Sequence, residues 1–362
     1  MNRRRGMAGL IKALSRRQFM TGTAAVGISL TAMPKFARAQ AGNVVFANWD
    51  TYIGETTLED FTAETGIGVT VDTFADVSEL FAKMRGGNVA YDVIVPSNDW
   101  LPRMKAADML QELDHSKIPN MANIFPRFMD APFDPGRKYS LPYMWGTVGI
   151  GYRKSAVSGV PDSWATLYDS DEYAGKIALL SDCGTMLGCA LKYLGYSLNS
   201  TDKAENEAAA ELIIKQKKNI KAFAEDNGQD LLAAGEVDVT MEYNGDIVQL
   251  MTEDDDVDYV IPKEGGILWE DVLAIPANAP NVDNAHALIN YIHDAEANQL
   301  ITDYIQYATP NKAGYELMDE GYKSNEDIFP PDDVVEASEF AEYLGEDVSQ
   351  MREDLCTKIN AA

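Results

Sequence analysis

A chain of 362 residues with an apolar fraction of 46% exceeds the usual single core and is long enough for two domains. Its 57 acidic residues against 30 basic ones give a net charge of −27, which disfavours nucleic acid and anionic membrane surfaces as partners. No stretch approaches the roughly 20 apolar residues that span a bilayer.

The first 39 residues stand apart, with eight Lys or Arg and no acid. Ser15-Arg16-Arg17-Gln18-Phe19-Met20 has the twin-arginine form, 21–33 is mildly apolar, and Ala37-Arg38-Ala39 is a small-residue cleavage site. Three such features in order read as a twin-arginine signal peptide at 1–39 and imply a periplasmic home. Without this leader 22 basic residues face 57 acidic ones, a net of −35. Such a surface concentrates cations, although solubility or a salty habitat accounts for it equally well. The three cysteines, Cys183, Cys189 and Cys356, allow at most one internal bridge and leave a thiol. No obligatory disulfide framework is expected, because the core is large enough without one.

After the leader, apolar runs at 44–48, 69–73 and 91–95 read as strands. Helical patterns at 57–65, 77–84 and 100–109 alternate with them. This βαβαβα order argues for a mostly parallel sheet covered on both faces. Phe133-Asp134-Pro135-Gly136 is a turn signal. Extended segments at 139–142 and 146–152 follow, and the glycines of 146–151 read as a hinge into a second lobe. A second α/β series has strands at 177–181, 237–242 and 257–261 and helices at 185–193, 203–217 and 245–251. Gly265-Gly266 then leads into a buried strand at 272–275, which places Trp269, Glu270 and Asp271 at a strand mouth, where open α/β sheets bind ligands. Helices are expected at 284–293 and 296–307, and an acidic amphipathic helix at 334–359.

Catalytic constellations are missing. His115, His286 and His293 fit no metal spacing. There is no Gly-x-Ser-x-Gly elbow, no P-loop and no dinucleotide glycine order. Asp254-Asp255-Asp256-Val257-Asp258 lacks the turn glycine and closing Glu of a calcium loop, and reads as a solvated acidic loop. No carboxylate pair stands out as an acid–base couple. The chain reads as a binder, not an enzyme, with no cofactor or metal.

Aromatic and acidic residues recur at the expected strand ends: Trp49, Asp50 and Tyr52, then Ser97, Asp99 and Trp100, then Asp182, then Tyr243 and Asp246, then Trp269 and Asp271; Tyr307 stands just before the loop Thr309-Pro310-Asn311. A lone aromatic at a strand end is more often core. If the six places converge, they form a box with π faces and anionic poles. Such a box suits an organic cation, through cation–π contacts of about 0.5–2 kcal/mol each and charge-assisted hydrogen bonds to Asp.

These residues lie within a wider pattern: Asn48-Trp49-x-x-Tyr52, Tyr91-Asp92-Val93-Ile94-Val95-Pro96-Ser97, Tyr143-x-Trp145-Gly146, Lys263-Glu264-Gly265-Gly266-x-x-Trp269-x-Asp271 and Thr309-Pro310-Asn311. With it the exported part of the chain resembles the bacterial periplasmic spermidine/putrescine-binding proteins of ABC uptake systems. The resemblance implies a two-lobed α/β fold of the type II periplasmic-binding-protein kind. Each lobe is a mixed sheet flanked by helices, and the ligand cleft lies between lobes. Lobe 1 would comprise 40–147 plus 272–308, and lobe 2 148–271 plus 309–362. A monomer that captures a polyamine and docks on a membrane permease is expected.

The resemblance also implies roles. Trp49 and Tyr52 would wall the cleft, and Ser97 would bond the ligand. Asp182, Asp246 and Asp271 would hold ammonium groups, Trp269 would stack on methylenes, and Tyr307 would close one end. Tyr243 stands where the family usually has Trp. Thr185 stands where a Glu is common, Asp50 and Asp99 where uncharged or aromatic residues are usual, and Leu344 aligns with a Gln near the tail. These departures bear on chain-length preference. Agmatine or a quaternary amine would suit the same box. An enzyme, a ferric-ion receptor and a sensor subunit are the other readings; the ferric-ion receptor needs clustered tyrosines as oxygen ligands, and the sequence has no adjacent Tyr pair.

Overall fold

The computed structural model describes residues 42–362 except 88 and 226, so the expected leader lies outside the described residues. Among the described residues ten strands form one network. They are β1 (Asn43–Trp49), β2 (Gly68–Phe74), β3 (Val93–Ile94), β4 (Ser140–Arg153), β5 (Ile177–Leu180), β6 (Ile220–Ala224), β7 (Val239–Tyr243), β8 (Val257–Val260), β9 (Ile267–Ala274) and β10 (Glu339–Phe340). Their order is β2-β1-β3-β9-β4-β7-β5-β6, with β8 on β4 and β10 on β9. β1 pairs in parallel with β2 and β3, and β5 pairs in parallel with β6 and β7. Between these parallel groups β9 runs antiparallel to β3 and β4, and β4 antiparallel to β7 and β8. The two groups are thus α/β units joined by β4 and β9.

Strand–helix alternation builds the first group, as expected from its pattern. Helix Thr57–Thr65 ends at Gly66, whose φ of 77° is the left-handed stop that glycine adopts freely. Helix Val77–Arg85 starts where the Asp76 side chain accepts from the Ser78 N–H at 2.5 Å. Phe74, Leu80, Leu101 and Met104 are buried between these helices and the sheet. Each such side chain removed from water contributes about 1.5–3 kcal/mol.

The join differs from expectation. The segments expected at 139–142 and 146–152 are one strand, β4, of 14 residues, with an irregularity between Pro142 and Met144. Its glycines are not a hinge at the end of an element. Gly146 lies opposite Trp269, and a Cβ there would come within 2.6 Å of the indole. Glycine is needed for close approach. β9 also begins at Ile267, before the expected 272. Trp269, Glu270 and Asp271 therefore lie inside a strand, not at its mouth. Period-two alternation then sends Trp269 and Asp271 to one face and Glu270 to the other, where Arg137 Nη2 meets Glu270 Oε1 at 2.7 Å.

Strand β6 was not expected. The tail is broken into helix Asp332–Ala337, β10 and helix Glu346–Ala361, with Gly345 at φ 95° before the last helix. A disulfide joins Cys183 to Cys356, and Cys189 is buried as a free thiol. Cys183 opens helix Cys183–Tyr193, so the bridge ties the tail helix to the start of that helix. One bridge with one thiol left agrees with the cysteine count.

Candidate functional site

All twelve residues singled out from the sequence line one cavity of about 430 Å³. They reach it from the ends of β1, β3, β5 and β7, from the middle of β9, and from Tyr307. Nine carboxylates line it against one guanidinium, that of Arg352, and six aromatic rings share the wall.

One group of residues is built on tyrosine–carboxylate pairs. The Tyr307 hydroxyl donates to Asp246 Oδ2 at 2.6 Å. Asp246 sits in the first turn of helix Asn244–Glu253, where the helix dipole favours a negative charge. The Tyr307 ring rests on Gly245, where a Cβ would come within 2.5 Å of it. Tyr52 faces Asp271: burial first, and then that carboxylate, hold its hydroxyl pKa well above the usual value. Rings of Tyr52, Tyr307, Trp269 and Tyr243 meet edge to face at 5.2–5.9 Å between centroids, a favourable quadrupole arrangement. Asp271 is 7% exposed, and a β-bridge brings Ser97 beside it.

A second group of residues comprises Asp99 and Asp182, with Thr185 beside Asp182. Ser97 Oγ donates to Asp99 Oδ1 at 2.6 Å. Burial, with Asp182 adding to it, pushes Asp99 up to about 6. Asp182 caps helix Cys183–Tyr193 by accepting from the Thr185 N–H at 2.7 Å. Burial and then Asp76 raise its pKa. Asp99 precedes helix Trp100–Ala106 but makes no side-chain cap bond; its carboxylate accepts from Ser97 and lines the cavity. Trp49 has two tasks: its indole donates to Val95 O at 3.1 Å and packs on Phe74.

Asp76, Glu79, Glu225, Glu342 and Arg352 also line the cavity and were not singled out from the sequence. Glu225 follows the unexpected β6, so the strand-end rule would have found it had that strand been read. The tail enters at Ala341, Glu342 and Arg352, while Leu344 is not part of the wall. The acidic loop at 254–258 is not merely solvated, because Arg153 pairs with Asp254 at 3.2 Å and Asp256 at 2.9 Å. His293, buried, is pushed down to about 3, and His286 accepts from the Asp114 N–H at 2.9 Å. Both are structural.

The family model of bacterial extracellular solute-binding proteins matches residues 56–330. The chain belongs to this family. It is 35% identical over 354 residues to the spermidine/putrescine-binding periplasmic protein of Escherichia coli (strain K12), covering 97% of this chain and 99% of the relative. The putrescine-binding periplasmic protein SpuD of Pseudomonas aeruginosa (strain UCBPP-PA14) is 35% identical over 310 residues, 80% of this chain and 83% of that one. Among solved structures, one described as a putative spermidine/putrescine ABC transporter from Listeria monocytogenes superposes with a TM-score of 0.84 at 35% identity, over 88% of this chain and 98% of that chain. The fold is the two-lobed α/β type II periplasmic-binding-protein architecture, and β4 and β9 are the strands that pass between its α/β groups. The chain is an extracytoplasmic solute receptor and not a catalyst.

Proposed function

We propose that the chain captures a polyamine, putrescine or spermidine, in this cleft and delivers it to an ABC permease. The observation that carries the reading is the convergence of tyrosine-backed Asp246 and Asp271, together with Asp99 and Asp182, on one cavity walled by the indole of Trp269. Several carboxylates and aromatic faces in one cleft suit an aliphatic chain with an ammonium at each end. The relatives named for spermidine and putrescine support the same class.

The lobes would divide at 40–147 plus 272–308 against 148–271 plus 309–362. Closing them would desolvate the ammonium–carboxylate pairs and so strengthen them. The closed shape is the signal a permease would read. Export would follow the twin-arginine route, and the receptor would act as a monomer. A neutral ligand would leave buried carboxylates unpaired, which makes discrimination steep.

Calorimetric titration of the exported form, refolded to strip carried ligand, tests this with putrescine, cadaverine, spermidine, spermine and agmatine. Tight binding of a polyamine that is lost in Asp271→Asn is expected. Silence with all five in folded protein would overturn the polyamine reading. Tight binding of agmatine alone would favour a receptor for another organic cation.

A further inference from the structure

The cavity's one guanidinium stands within the field of Asp99 and Asp182. Resting on the polyamine reading above, we propose that Arg352 is a built-in counter-cation that sets how much positive charge this group accepts, and so selects a diamine over more highly charged polyamines.

The fold places Arg352 there by a short covalent route. Arg352 and Cys356 lie one turn apart on helix Glu346–Ala361, and residues four apart share a helix face. Cys356 is bonded to Cys183, the neighbour of Asp182. Arg352 Nε donates to Asn206 Oδ1 at 3.0 Å, and Nη2 to Leu198 O at 2.7 Å and Ser200 O at 3.3 Å. These bonds orient the side chain, which still lines the cavity. Arg352 makes no direct ion pair with a described carboxylate, so Asp99 and Asp182 feel it through the field. Burial lowers its pKa, and Asp182 and Asp99 oppose that shift. An arginine does not give up its proton in a protein, so the charge is permanent.

Charge balance follows. Asp99 and Asp182 are the carboxylates whose field meets Arg352, and with it they carry a net charge of −1. Asp76 adds a further acid beside Asp182, so the guanidinium does not abolish the negative potential here but lowers by one unit the charge that each further ammonium meets. Thr185 is neutral and does not restore the balance. A purely structural Arg352 would support helix Glu346–Ala361 and affect all ligands alike.

The test compares Kd values for putrescine, spermidine and spermine in wild type, Arg352→Gln, Arg352→Lys and Thr185→Glu, with thermal melts to confirm folding. Removing the guanidinium is expected to shift the spermidine-to-putrescine affinity ratio about tenfold toward spermidine, and the spermine ratio further, as Coulomb repulsion across a buried gap dictates. Arg352→Lys keeps the wild-type ratio. Thr185→Glu, which adds a carboxylate with Arg352 intact, shifts the ratio the same way and tests the charge rule even if Arg352→Gln fails to fold. An unchanged ratio in the folded Gln or Glu variants overturns the assignment. That outcome is distinct from wild type binding none of the amines, which overturns the polyamine reading and the assignment together.

Discussion

Tyr307 Oη donates to Asp246 Oδ2 at 2.6 Å, and this bond fixes a carboxylate that follows β7 to a tyrosine that follows helix Ala295–Ile305. A hydrogen bond to a charged group contributes about 1.5–3 kcal/mol. Tyr307→Phe keeps the ring on Gly245 and Trp269 and removes only the donor. Diamine affinity should fall about tenfold, which corresponds to about 1.4 kcal/mol, and the melting temperature by a few degrees, about 2–4 °C per kcal/mol lost. Tyr307→Ala removes the ring as well and should cost about 3–5 kcal/mol of stability, the range for truncating a buried aromatic. Calorimetry and thermal denaturation of the two variants separate the donor from the ring.

Asp99 predicts a pH dependence for binding. Its pKa is pushed up to about 6 by burial and by Asp182. Below that pH the unliganded carboxyl holds a proton, and an ammonium ligand must displace it. Affinity for a diamine should therefore fall by up to about tenfold per pH unit below 6, and be flat above 7. Titration at pH 5 in two buffers of different ionisation enthalpy should reveal proton release. Asp99→Asn should reduce both the release and the slope, leaving the part due to Asp182, whose pKa is also raised.

Behind the cleft, on the other face of β9, the Arg137–Glu270 pair carries a stability prediction. Nη2 and Oε1 are 2.7 Å apart, and the residues are 0% and 4% exposed. Glu270→Leu leaves a buried guanidinium without its carboxylate and should cost about 3–5 kcal/mol by chemical denaturation. Adding Arg137→Met should recover most of that loss. Burial, only partly offset by Arg137, raises Glu270 from 4.5 to about 7. For an acid raised in the folded state, the associated stability is fully present below pH 4.5 and is lost as pH rises through about 7. The wild type should show this decline between those limits, and the double variant should lack the part due to Glu270.

The parallel units were legible because their strands are apolar runs between helical patterns. The join was less so. Pro142 and the glycines at 146, 149 and 151 read as breaks, yet β4 absorbs the proline at an irregularity and uses Gly146 to admit Trp269. β9 reads as a loop in its first half because Trp269, Glu270 and Asp271 look polar. A strand with a cleft on one face and a buried ion pair on the other has no simple alternation of apolar and polar. β6 carries Lys221 in a five-residue run, which hides its strand pattern and with it the position of Glu225 at the strand end. Most site residues were legible because they follow or sit in a strand and combine a π face or a carboxylate with a neighbour of the other kind; Thr185, inside helix Cys183–Tyr193, and Tyr307, after helix Ala295–Ile305, do not fit that rule. Arg352 could not emerge that way. It stands on the tail helix, and only the Cys183–Cys356 pairing, which three cysteines do not dictate, places it by Asp182.

That pairing supports the last prediction. The bridge closes a loop with a sequence separation of 173. In the chain-entropy model a loop of this size gives a ceiling of about 5 kcal/mol, and native bridges commonly deliver about 2–4. Cys356→Ser should lower the unfolding free energy by that amount. It should also loosen helix Glu346–Ala361 against helix Cys183–Tyr193, so diamine affinity should fall with it. Cys189 is fully buried, and burial pushes its thiol well above the ordinary value, so it is not nucleophilic in the native state. A thiol reagent should therefore label no cysteine in native wild type, one after denaturation alone, and three after denaturation with reductant. Labelling of Cys183 and Cys356 in native, unreduced protein would contradict the bridge, and with it the route that sets Arg352 beside Asp182.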